Sequence, residues 1–149
     1  MDPLIIVAVL GGLIAISTVV GLVLRSGEGR LKKADGLTRV DRYELGPSVH
    51  FGPNATLLQF STEFCTKCPA TRTFLASVAD KNTGVAHIDV DITNRQDLAQ
   101  KFNIMQTPTT FILDDSGAIA GRIGGAPRPE AVNTALEIAL RRDHDLYAI

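Results

Sequence analysis

From Leu4 to Leu24 the chain carries no charged residue, and its only hydroxyl side chains there are Ser17 and Thr18. About 21 such residues are enough to cross a hydrocarbon core of about 30 Å as one helix. After Arg25 the pattern breaks into Ser26-Gly27-Glu28-Gly29, which reads as a flexible tether. Beyond it, short apolar runs alternate with helical spacing. Leu37 to Leu45 reads as an edge strand with imperfect alternation, and Thr56 to Phe60 as a buried strand. Thr66 to Asp80 places Phe74, Leu75 and Val78 at helical spacing. Val85 to Val90 reads as a second buried strand, and Asn94 as the cap of a short helix carrying Leu98 and Phe102. Thr109 to Leu113 and Ala118 to Ile123 flank Asp114-Asp115-Ser116-Gly117, a hairpin turn. The last helix has Pro129 and Glu130 in its first turn, buries Val132, Leu136, Ala139 and Leu140, and is expected to end at Arg141 and Arg142. Strand, helix, strand, helix, hairpin, helix predicts an α/β fold: a mixed central sheet with helices on both faces.

This divides the 149 residues into an N-terminal membrane anchor at 1–24 (transmembrane helix about 4–24), a tether at 25–36 and one domain at 37–149. A domain of roughly 110 residues can bury its own core. A retained anchor is expected rather than a cleaved signal. Only Asp2 and the terminal amine precede the apolar run, and its end, Leu22-Val23-Leu24-Arg25, is bulky. Arg25, Arg30, Lys32, Lys33 and Arg39 all lie downstream, so the positive-inside rule puts the domain on the cytoplasmic side of a single-pass cell-membrane protein. Net charge is −1, which leaves no electrostatic footprint for nucleic acid.

The chemistry lies in Cys65-Thr66-Lys67-Cys68, which holds the only two cysteines of the chain. The pair falls where a strand passes into a helix N-terminus. Unpaired N–H groups and the helix dipole there stabilise a thiolate, so Cys65 is the expected nucleophile and Cys68 the resolving thiol. A zinc site needs more ligands, and His50, His87 and His144 are not at paired spacing. A purely structural disulfide so short would constrain the unfolded chain little.

With its neighbours the pair resembles the thioredoxin family. The resemblance runs from about Thr56 to Arg142: Leu57-Leu58-Gln59-Phe60, the cysteine pair, Val85 to Asp91, Phe102 to Thr109, Phe111 to Asp114 and Ile123-Gly124-Gly125. It implies a thioredoxin-like fold, a cis bond before Pro108, and a substrate site lined by Phe64, Thr107 and Pro108. Against the family pattern, Phe64 stands for a Trp and Ser61 for another aromatic. Gln59 stands for a buried acid and His87 for its lysine neighbour, which leaves Cys68 without its usual proton acceptor. Thr66-Lys67 replaces Gly-Pro, and Lys67 is expected to bring positive charge to the thiolate. Pro69 falls in the first helical turn, where it breaks no intrahelical bond.

The expected function is a membrane-anchored thiol-disulfide oxidoreductase needing no metal and no organic cofactor. Its substrate would be a disulfide-containing protein or small thiol compound, and its electrons would come from an upstream reductase or small thiol. The alternatives are a binding or scaffold module with little turnover, favoured by Gln59 and Ser61, and a sulfur carrier holding a persulfide on Cys65.

Overall fold

The computed structural model describes residues 2–146. The chain runs α1 (Pro3–Ser26), β1 (Leu31–Lys33), α2 (Arg42–Leu45), β2 (Ala55–Ser61), α3 (Cys68–Lys81), β3 (Val85–Asp91), α4 (Gln96–Lys101), β4 (Thr109–Asp114), β5 (Ile119–Gly124) and α5 (Pro129–Leu146). The five strands form one sheet in the order β1-β5-β4-β2-β3. Only β2 and β3 are parallel, joined by α3 as a crossover, and the other pairs are antiparallel. This is the mixed α/β sheet that the pattern predicts, in the thioredoxin-like arrangement that the resemblance implies.

Strand periodicity sends alternate residues to opposite faces, and each face closes its own core. On one, Leu57, Ile112 and Ile123 pack with Leu75 and Val78 of α3 and with Val132, Ala135, Leu136 and Ala139 of α5. On the other, Leu58, Phe60, Phe111 and Leu113 pack with Leu45 of α2, Leu98 of α4 and the following Phe102. Phe60, Phe102 and Phe111 meet there with ring centroids 5.2–5.8 Å apart. The central strands β2 and β4 are buried along their whole length, so the segment after β2 leaves a rigid platform.

The N-terminal region differs from expectation in two ways. The edge strand is not at 37–45 but at Leu31–Lys33, inside the expected tether, where Leu31 pairs with Ile123 and Lys33 with Gly121. Within 37–45, Arg42–Leu45 is a short helix, because Asp41 Oδ1 accepts from Tyr43 N at 2.9 Å and caps a turn there. Elsewhere, Arg95 rather than Asn94 occupies the cap position of α4, with no side-chain capping bond. The last helix continues past Arg141 and Arg142 to Leu146, and the final three positions of the expected domain lie outside the described residues. Helix α1, with mean hydropathy 2.6, buries none of its residues against the rest of the chain.

Candidate redox site

Strand β2 ends at Ser61, and the chain turns through Thr62–Lys67 before α3 starts at Cys68. Cys65 N donates to Thr62 O at 3.2 Å and Cys68 N to Cys65 O at 3.4 Å, so both cysteines sit in consecutive tight turns at the helix start. They are joined as a disulfide with Cα atoms 5.4 Å apart. Pro69 is in the first turn of α3, as expected. The cysteines differ in environment: Cys65 is partly exposed, whereas Cys68 is only 2% exposed. A sulfur that solvent can reach, ahead of a helix N-terminus, is the one an external disulfide can meet.

The Thr107–Pro108 bond is cis. Thr107 Oγ1 lies 3.2 Å from Thr62 Oγ1, which ties this loop to the cysteine turn. Phe64, Cys65, Lys67 and Thr107 line one cavity of about 400 Å³, with Phe64 81% exposed at its rim. Pro108 is buried, and its carbonyl accepts from Gly125 N at 2.8 Å. The structure therefore brings together the residues that the sequence singles out at separate points of the chain.

Beneath the pair, Gln59 is fully buried, and its Nε2 donates to the Cys68 carbonyl at 3.1 Å. A carbonyl only accepts, so the amide must turn its Oε1 the other way, toward His87 Nε2 at 3.3 Å. That oxygen needs a donor, which assigns the neutral imidazole its proton on Nε2. Burial holds the His87 pKa below the ordinary histidine value; nearby Asp89 pulls it up and Arg72 pushes it down. Thr110, opposite Gln59 on β4, has a buried hydroxyl with no hydrogen-bond partner among the described residues.

Two groups were not anticipated from the sequence. Asp89, opposite Gln59 on β3, accepts from Ser61 Oγ at 2.6 Å and from Arg72 Nε at 2.6 Å. Its place two residues after His87 on the same strand face was the available signal. Glu28 is the other: its carboxylate takes the Lys67 ammonium at 3.0 and 3.2 Å. Lys67 therefore does not offer its full charge to the cysteines, as the sequence had suggested. No pattern links residues so far apart in the chain.

No group of three or more His, Cys, Asp or Glu side chains able to hold a metal occurs among the described residues, and the side chain of His144 lies outside them. A family model described as Thioredoxin matches residues 48–137. Thioredoxin C-2 of Corynebacterium nephridii is 32% identical over 73 residues, which cover 48% of this chain and 68% of that protein. Thioredoxin of Rattus norvegicus is 28% identical over 88 residues, 59% of this chain and 83% of that protein. Among solved structures, thioredoxin F from spinach chloroplast in its short form superposes with a TM-score of 0.52 at 24% identity. The match covers 59% of this chain and 78% of that one, and it supports the fold.

Proposed function

The chain belongs to the thioredoxin family and is a thiol-disulfide oxidoreductase, and on that footing we propose that it reduces disulfides at a membrane through Cys65 as nucleophile and Cys68 as resolving thiol. The observation that carries this reading is the unequal exposure of two bonded cysteines at a strand-to-helix turn that shares a cavity with the Thr107 loop. In the reduced protein, Cys65 thiolate attacks one sulfur of the substrate disulfide and expels the other as a thiolate. Cys68, losing its proton, then attacks Cys65 Sγ and releases the second substrate sulfur. Two electrons pass to the substrate, and the protein is left with the Cys65–Cys68 disulfide. A dithiol reductase or small thiol returns it to the dithiol form. Phe64, Thr107 and Pro108 are the residues we assign to substrate binding. Phe64 supplies exposed apolar surface, and Thr107, which lines the same cavity as Cys65, is assigned the backbone with which an extended peptide pairs.

Family members act on disulfide-containing proteins with thiol reductants, and the same classes are proposed as partners here. Helix α1 is proposed as a retained single-pass anchor and the rest of the chain as the catalytic unit. The basic residues from Arg25 to Arg39 support a cytoplasmic domain. A second reading, a binding module with slow turnover, draws on one observation: Gln59 cannot take the Cys68 proton as an acid at that position would. Reduction of insulin disulfides by the full chain with a dithiol donor separates the two. Steady turnover that Cys65→Ser abolishes supports the oxidoreductase, and stoichiometric binding without turnover supports the module.

A further inference from the structure

We propose that the redox pair is fixed at the bilayer surface by the segment after α1, and that its substrates are disulfides of other membrane proteins lying close to that surface. The inference rests on the reading of α1 as a membrane anchor. The expected flexible tether is in fact bound to the domain. Gly29 N donates to Gly124 O at 2.8 Å, Arg128 N donates to Gly29 O at 3.3 Å, and the Arg128 guanidinium donates to Ser26 O at 3.3 Å. Gly29 is buried with φ of 74°, and a Cβ there would collide with the Ala126 carbonyl. Between these anchors the Glu28 side chain crosses the bare face of Gly125, where a Cβ would come within 2.8 Å of it, and reaches Lys67 between the two cysteines. Strand β1 follows directly, paired with β5.

This leaves the domain little freedom to move away from the membrane. Glu28 comes four positions after Leu24, the last apolar residue of the span, and four Cα steps reach at most about 14 Å even when extended. Here they are shorter, because Gly27 N bonds to Leu24 O and Glu28 N to Arg25 O, coiling the step into a turn. The polar headgroup layer is about 5–8 Å thick on each side of the hydrocarbon core. Glu28 therefore lies at its outer edge, and Lys67 is in contact with Glu28. Leu24 lines one cavity of about 490 Å³ with Met105 and Gln106, the residues just before Thr107. Phe64 at the rim of the redox site and Met105 in the cavity with Leu24, 81% and 83% exposed, add apolar surface on this side of the domain. A disulfide presented near the bilayer meets Cys65 directly, while one held far out has to come down to it.

The test uses the full reduced chain in phosphatidylcholine vesicles containing phosphatidylglycerol, with single-span peptides carrying a disulfide-linked fluorophore. One peptide has the disulfide directly after its span. A second has it beyond a helical spacer of about 20 residues, roughly 30 Å, and a third is the soluble segment alone. The near disulfide is expected to be reduced about 10-fold or more faster than the far one, since effective concentration is lost when geometry forbids contact. A flexible Gly/Ser insertion of about 15 residues after Arg25, with a reach of about 20 Å, should erase the near-to-far preference and leave turnover of the soluble peptide unchanged. Equal near and far rates for the native chain, with flotation proving it is in the vesicles, overturn the proposal alone. Failure to float with the vesicles overturns the anchor and the proposal with it. No reduction of any of the three peptides overturns the reductive reading on which both depend.

Discussion

Gln59 Nε2 donates to the backbone carbonyl of Cys68 at 3.1 Å, so a neutral amide occupies the position beneath the resolving cysteine. The bond fixes the first turn of α3 to the centre of the sheet, but an amide takes no proton. His87 does not replace the missing base, because Gln59 stands between it and Cys68 and its Nε2 already carries a proton directed at Gln59 Oε1. Resolution then relies on water or on the departing thiolate. Gln59→Asp should speed release of substrate from a Cys65 mixed disulfide at neutral pH by about 10-fold. The unpartnered Thr110 hydroxyl across the strand is available to the new carboxylate. Stability should fall by about 1–3 kcal/mol, the cost of an imperfectly satisfied buried polar group. Stopped-flow rates with a peptide mixed disulfide, together with urea midpoints, measure both.

His87 predicts a pH signature of stability rather than of rate. Burial, the largest effect, lowers its pKa in the fold, with Asp89 opposing and Arg72 adding to the decrease. The unfolded chain therefore takes up a proton first as pH falls through about 6.5, the ordinary histidine value. The contribution is complete above that pH and is lost progressively below it, down to the folded-state pKa. His87→Gln should flatten the urea midpoint against pH in this window and leave the resolving rate within about 2-fold. An unchanged slope would remove His87 from the pH response.

Much of this site was legible in the sequence because its parts are local. Apolar runs marked β2 and β4 since both strands are covered on two faces, and the cysteine spacing marked the helix start. Thr107-Pro108 was placed opposite the pair through resemblance, not periodicity. What was not legible depends on tertiary contact. Strand β1 has three residues, two of them lysines, and only pairing with β5 makes it a strand; the lysines also blunt the sheet edge. The turn at Arg42–Leu45 hangs on the Asp41 cap, which a strand pattern hides. Ser26–Gly29 has the composition of a flexible linker, yet Gly29 permits close backbone approach to residues 124–128.

Glu28 and Lys67 give a charge prediction. Removing the Glu28 carboxylate frees the Lys67 ammonium to favour the Cys65 thiolate, so Glu28→Gln should raise the alkylation rate of reduced Cys65 at neutral pH. Lys67→Gln should lower it. Both partners are well exposed, so each change should be about 2-fold, the size of an exposed ion pair. Added salt should shrink the difference. A change of the same sign in both variants, or a fall with Glu28→Gln and a rise with Lys67→Gln, would contradict this electrostatic role.

The basic flank predicts sidedness. In intact cells with reduced thiols, a membrane-impermeant maleimide should leave Cys65 unlabelled until the membrane is opened. Prompt labelling of intact cells would put the domain on the outer side.

The division of labour between the two cysteines is tested most directly by trapping. Reduced Cys68→Ser and Cys65→Ser chains are each mixed with a peptide disulfide, and the mixed disulfide is located by mass spectrometry. The partly exposed Cys65 should accumulate a peptide adduct in Cys68→Ser, while Cys65→Ser, whose remaining cysteine is 2% exposed, should form almost none. An adduct on Cys68 forming as fast as, or faster than, the adduct on Cys65 would contradict the assignment of nucleophile and resolving thiol.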